Sequence, residues 1–182
     1  APALEEEMRW VIPSRQIFLD SVAQLKSEGL TDIQRAARFL CTLKLSFGSN
    51  RRSFATSAKS FQRTLNYLSK VQERLENVTI ENRDFEYILK TYDRHDALFY
   101  LDPPYLGTEK YYEGMFGWDD HLRLADSLKK IKGRFVLSYN DDDRIRELYS
   151  AWCNIESVQR RETLSGSGEN RKSFKEVIIK NF

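Results

Sequence analysis

Long apolar runs, glycine and cysteine are all scarce in these 182 residues, and each shortage excludes something. No apolar stretch approaches the ~18 residues of a membrane-spanning helix. The opening Ala1-Pro2-Ala3-Leu4-Glu5-Glu6-Glu7 has neither the basic flank nor the apolar core of a signal peptide, so a cytoplasmic location and no membrane partner are expected. The only cysteines, Cys41 and Cys153, are far apart and lack metal-ligand spacing. A disulfide framework is therefore not expected, nor is a bound metal, and both thiols read as core side chains. Before Val78 the only glycines are Gly29 and Gly48, and neither follows an apolar strand. With a net charge of only +2, bulk electrostatics neither demands nor excludes a polyanionic partner. The bases do cluster, at Arg51-Arg52, Arg160-Arg161 and Arg171-Lys172, each in or beside a Ser/Gly-rich segment.

What is present divides the chain by periodicity. Up to residue 77, apolar side chains recur at three- and four-residue steps: Phe18, Val22, Leu25; Ile33, Ala36, Ala37, Leu40; Phe61, Leu65, Leu68, Leu75. This spacing predicts three helices. The turn-forming basic loop Phe47-Gly48-Ser49-Asn50-Arg51-Arg52-Ser53-Phe54 separates the second from the third. From Val78 the pattern becomes α/β. Buried strands are expected at 78–80, 97–101 and 135–138, helices at 85–92, 122–131 and 145–152, and a closing antiparallel pair at 155–160 and 176–181. Such alternation implies parallel strands with ligands at their carboxyl ends.

The tetrapeptide Asp102-Pro103-Pro104-Tyr105 follows the 97–101 strand directly. Consecutive prolines remove two donors and fix φ, so the loop is stiff and the Pro103 carbonyl has a set direction. An exocyclic amine conjugated to a nucleobase ring, such as adenine's, is a poor nucleophile. Two acceptors, the Asp102 carboxylate and the Pro103 carbonyl, can hold its N–H groups and aim its lone pair at an electrophilic methyl group. Because that amine is paired inside a duplex, the base must be extruded, and Tyr105 is placed to stack on it. The segment Tyr111-Tyr112-Glu113-Gly114-Met115-Phe116-Gly117-Trp118 offers a glycine-hinged aromatic wall.

With these residues the chain resembles the Dam-type, alpha-group N6-adenine-specific DNA methyltransferases over roughly residues 10 to 182. Thr31 to Leu40, running on to Phe47-Gly48, resembles the family's recognition helix and DNA-contacting loop. Asn82-Arg83-Asp84-Phe85 resembles its acid-aromatic pair; Val136-Leu137-Ser138-Tyr139-Asn140 its strand-and-polar motif; and Arg171-Lys172 with Glu176-Val177-Ile178-Ile179-Lys180-Asn181 its closing hairpin. The resemblance implies an α/β fold: a Rossmann-like, S-adenosylmethionine-dependent methyltransferase sheet, incomplete at its N-terminal side, with a small helical DNA-recognition subdomain. It divides the chain into a helical lead-in at 1–28, target recognition at 29–76 and catalysis at 77–182. It implies catalytic Asp102, Pro103, Pro104 and Tyr105, and contacts to S-adenosylmethionine from Asp84, Phe85 and Asp102. Double-stranded DNA would be met by Asn50, Arg51, Arg52, Lys59, Arg171 and Lys172. Asp84 also reads as a helix N-cap, and Asn140 with Asp141-Asp142-Asp143 as capping the next helix.

One departure stands out. The family's glycine-rich Phe-x-Gly-x-Gly loop and the acid that follows it are absent, and Gly166-x-Gly168 reads as a hairpin tip. A missing N-terminal segment, on the same or another chain, is expected, with weak or no methylation without it. Three alternatives stay open: N4-cytosine methylation, a DNA-binding remnant without activity, and methylation of protein or RNA. Cytosine C5 chemistry is disfavoured because it needs an activated cysteine, and neither Cys41 nor Cys153 follows a proline in a loop.

Overall fold

The computed structural model describes residues 1–55, 60–107, 116–161 and 173–182. The chain forms two compact units, Ala1–Ile80 and Glu81–Phe182.

The first unit is helical: α1 (Pro2–Met8), α2 (Arg15–Gln24), α3 (Asp32–Leu45), α4 (Phe61–Leu65) and α5 (Leu68–Leu75). Local chemistry sets the starts. Ser14 Oγ accepts the Ile17 N–H at 3.1 Å to cap α2. Thr31 and Gln34 cap α3 reciprocally, each side chain accepting the other's backbone N–H. The core gathers Met8, Phe18, Ala37, Cys41, Leu45, Phe61 and Leu65. On α3 the buried stripe is therefore Ala37, Cys41 and Leu45, whereas Ile33, expected inward, is exposed. The third expected helix breaks at Asn66-Tyr67 into α4 and α5, and α5 buries no residue in the described chain.

Residues 78–80 are not the expected strand. Val78 donates its N–H to the Leu75 carbonyl at 3.0 Å, finishing α5, and Ile80 is 78 % exposed. A Val-Thr-Ile run has strand propensity, but propensity is realised only beside a pairing partner and a covered face, and here it has neither.

The second unit is α/β: α6 (Phe85–Tyr92), β1 (Leu98–Leu101), α7 (Trp118–Leu128), β2 (Arg134–Asn140), α8 (Asp143–Ser150), β3 (Asn154–Arg161) and β4 (Ser173–Lys180). Its sheet order is β1-β2-β4-β3. β1 runs parallel to β2, with Leu101 opposite Leu137, while β4 is antiparallel to both β2 and β3. The expected terminal antiparallel pair thus forms; its connection, with Gly166 and Gly168, lies outside the described residues. Alternation assigns the faces of β2: Phe135, Leu137 and Tyr139 are fully buried, joined by Val177 and Ile179 of β4 and by Leu124, Ala125, Leu128, Ile145 and Tyr149 of the helices. β1 is only half covered. Phe99 and Leu101 pack on this core, but Leu98 and Tyr100 are 61 % and 70 % exposed, so the fully buried strand expected at 97–101 is corrected to one with an open face.

Two polar devices lock the sheet. Asp93 accepts the backbone N–H groups of Lys132 and Gly133, while Gly133 approaches the Arg94 and Ala97 carbonyls so closely that a Cβ would meet both at 2.9 Å. Asp141 accepts two hydrogen bonds from Arg146, at 2.6 and 3.0 Å, and Arg146 also reaches Ser157 Oγ on β3. That pairing holds the Asp141 carboxyl below the usual carboxylate value. A depressed carboxyl stabilises the fold above its unfolded value of ~3.9, and the contribution disappears as pH falls through the lower folded value. Asp141→Asn is therefore expected to lower the urea midpoint at pH 6 but not at pH 2; an equal loss at both would show the ion pair to be irrelevant.

Candidate active site

The loop after β1 is built from the strand beside it. Ser138, one residue past the partner of Leu101 in β2, donates its hydroxyl to Asp102 Oδ1 at 2.8 Å. Its 3.4 Å approach to the Leu101 carbonyl is the weaker alternative for the same single proton, because the carboxylate is the stronger acceptor. Among the described residues the second oxygen of Asp102 has no partner. Two residues further along β2, Asn140 accepts the Leu106 N–H at 3.0 Å and donates its own amide to the Leu106 carbonyl at 3.2 Å. Of the expected cap, Asn140 with Asp141-Asp142-Asp143, Asn140 is thus taken up by the loop, and the acidic run supplies the cap. Asp142 is the cap, accepting the Arg144 N–H at 3.0 Å. The difference is physical: an Asn at a strand end satisfies whichever backbone lies across from it, and here that is the loop rather than the next helix.

Between these two ties sit the half-buried Pro103, Pro104 and Tyr105. The Tyr105 ring leans on Tyr139, with centroids 6.4 Å apart and planes at 47°. Tyr139 is fully buried and its hydroxyl lies 2.6 Å from His121 Nδ1; burial pushes its phenol well above the ordinary value. The sequence reading missed His121, a fully buried residue of α7 that packs on Tyr139 of β2 and whose ring meets Phe116 edge-on at 4.8 Å. Burial likewise pushes the Cys153 thiol up to about 11 and raises that of Cys41; Cys41 is the core thiol expected, whereas Cys153 is half-buried at the edge of the second core.

Asp102 and Pro103 stand at the end of a cavity of about 440 Å³ that runs along β1 and α6, with Phe85, Ile88, Leu98, Tyr100 and Phe116 among its walls. A polar groove of about 550 Å³ in the first unit, walled by Glu5, Glu6, Arg9 and Asn66, is larger. The walls of the 440 Å³ cavity are mostly apolar, Phe85 supplies a ring face, and Asp102 supplies an acceptor, a lining that can hold a flat heteroaromatic group. Among the described residues its charged walls are Arg83 and Asp102, which offer little to an amino-acid tail.

Phe85 is held between neighbours. Phe116 packs on it at 6.2 Å, and the Arg123 guanidinium lies 4.7 Å over its ring. Asp84 caps α6 by accepting the Glu86 N–H at 2.9 Å and pairs with Arg123 at 2.8 Å. The Glu86 amide, first, and the Arg123 guanidinium hold its carboxyl below the usual range. The expected cap is thus present, and both oxygens of Asp84 serve it and Arg123.

In the first unit, Ser46 bridges to Phe54, and the turn between them is tightly made. Gly48, Ser49 and Arg51 all take left-handed backbone, at φ 55°, 60° and 56°. Asn50 Oδ1 accepts the Arg52 and Ser53 N–H groups, and Ser46 Oγ accepts that of Arg51. Asn50 thus holds the turn, Arg51 lies 4.9 Å over the Phe39 ring, and Arg52 is exposed. Lys59, Arg171 and Lys172 lie outside the described residues, as does 111–115 of the aromatic wall. Among the described residues there is no His/Cys/Asp/Glu group able to hold a metal, and no helix is long and apolar enough to cross a membrane.

The chain is 30% identical over 111 residues to the Type II methyltransferase M.CviBI of Paramecium bursaria Chlorella virus NC1A, a match covering 59% of this chain and 43% of that protein. The chain thus matches less than half the length of this relative. Residues 7–164 fit the model of the D12 class N6 adenine-specific DNA methyltransferases, a match that takes in the helical unit and the Asp102 loop alike, and the chain belongs to that family.

Proposed function

We propose that the chain transfers a methyl group from S-adenosylmethionine to the N6 amine of an adenine turned out of duplex DNA. The observation that carries this reading is the tethered loop: Asp102 with one oxygen held by Ser138, beside Pro103, at the end of an aromatic-walled cavity. When bound, S-adenosylmethionine supplies an electrophilic methyl on its sulfonium. The rest is done by the chain. The free Asp102 oxygen and the Pro103 carbonyl accept the two N–H bonds of the amine, directing its lone pair outward. Prolines on either side of the Pro103 carbonyl keep that acceptor from swinging away, and Tyr105 offers a ring face in exchange for lost base stacking. Phe85 packs on the adenine ring of the methyl donor, with Asp84 beside it.

On this reading the β1–β2 half of the sheet is the carboxyl-end part of a Rossmann-like methyltransferase sheet, 77–182 is the catalytic region, 29–76 recognises DNA and 1–28 leads in. A glycine-rich segment on the same or another chain completes the cofactor site and is needed for full activity; among the described residues the cavity offers only Arg83 and Asp102 to an amino-acid tail. The test is product identity. The chain is incubated with methyl-labelled S-adenosylmethionine and random-sequence duplex DNA long enough to accumulate slow product, and the nucleosides are separated by mass. N6-methyladenine is expected; label on cytosine, or none above a protein-free control, would overturn the proposal.

DNA contact falls to the 46–54 turn, with Lys59 and the basic pair Arg171-Lys172 as further phosphate partners. Each phosphate neutralised contributes a slope of about −0.9 to log K against log salt. Arg52→Ala should reduce the slope by about one such unit and weaken binding similarly on all sequences. An unchanged slope would remove Arg52 from the interface.

A further inference from the structure

We infer that Ser138 is a positioning residue for methyl transfer: by occupying one oxygen of Asp102 it dictates which oxygen meets the nucleobase amine. This rests on the proposed amine clamp and adds a residue to which the clamp itself does not point.

A carboxylate on an exposed loop can rotate about its terminal torsion, which is broad and two-fold, and can offer either oxygen in many directions. Ser138 removes that freedom. Ser138 is 5 % exposed on a strand whose neighbours Leu137 and Tyr139 are fully buried, so the donor has little room to drift, and its hydroxyl meets Oδ1 at 2.8 Å. Oδ2 is left as the acceptor. Asn140, on the same face of β2 two residues on, holds the far end of the loop through both backbone groups of Leu106. Ser138 therefore aims the side chain while Asn140 fixes the main chain that carries it. Serine suits the first task, because a hydroxyl with one proton orients one oxygen without neutralising the carboxylate, as a lysine or arginine there would.

The expectation can be read without turnover. Adenosine and purine riboside differ only in the exocyclic amine, so with S-adenosylhomocysteine in excess to fill the nucleoside cavity their affinity ratio isolates the clamp. Both are titrated into the whole chain and followed at the backbone amide NMR signals of Tyr105 and Leu106, which report this loop rather than the rest of the cavity. The unaltered chain should prefer adenosine. Ser138→Ala should cut that preference by about tenfold, since a mis-aimed acceptor forfeits most of a charge-assisted hydrogen bond. Its purine riboside affinity and thermal midpoint should stay unchanged, and Ser138→Thr, which keeps the hydroxyl, should restore most of the preference. A Ser138→Ala chain that prefers adenosine as strongly as the parent overturns the positioning role and leaves the clamp standing. An unaltered chain with no preference removes the clamp, and the role of Ser138 with it. Should Ser138→Ala weaken both ligands equally, the residue is structural only and the inference fails.

Discussion

Replacing Asp102 by alanine is expected to lower the rate of N6-methyladenine formation by about 10²–10³-fold, the usual loss when one preorganised partner of the reacting group is removed. DNA affinity should stay within about twofold, because the carboxylate carries the wrong charge to hold phosphates and none of the described basic residues is tied to it. The fold should survive as well: Asp102 is exposed, and its one described tie is to Ser138. The comparison to make is initial methylation rate against a binding isotherm on the same duplex. Unchanged methylation in Asp102→Ala would dismiss the proposed chemistry, and loss of DNA binding in step with activity would make Asp102 a folding or docking residue instead.

The second large effect concerns stability. Phe135→Ala should destabilise the second unit by about 3–5 kcal/mol, the range for deleting a fully buried aromatic and leaving a cavity that close packing cannot collapse. Phe135 has no exposed surface; its ring lies 5.9 Å from that of Trp152, and its N–H is tied to Asn181 Oδ1 at 2.9 Å. Trp152 fluorescence followed in urea reports the loss where it occurs. A midpoint shift worth less than about 1 kcal/mol would mean that the space beneath β2 refills, contrary to the packing described.

Much of the candidate site was legible in the sequence because its signals are local. An apolar run ending in Asp102-Pro103-Pro104-Tyr105 marks a stiff loop at a strand end, since proline fixes φ whatever surrounds it. Asp84 announced itself as a cap by the helix that follows. What stayed hidden depends on partners distant in sequence. Ser138 and Asn140 stood out as polar residues two apart at the end of an apolar strand, but only the parallel pairing of β1 with β2 turns them toward Asp102 and Leu106. The same reasoning covers the misreading of 78–80 as a strand, where composition favoured extension and the Leu75 carbonyl took the amide. The break at Asn66-Tyr67 was equally invisible, for the apolar spacing runs through it without a glycine or proline to mark the end.

The left-handed backbone at Arg51 sets two selective pressures against each other. A side chain other than glycine held at φ 56° costs on the order of 1 kcal/mol, which glycine at that position would recover. Breeding the protein for heat resistance would thus favour discarding the guanidinium, whereas, with Arg51 in the DNA contact proposed above, breeding it for grip on nucleic acid would favour keeping it. Variants enriched under one regime should be depleted under the other.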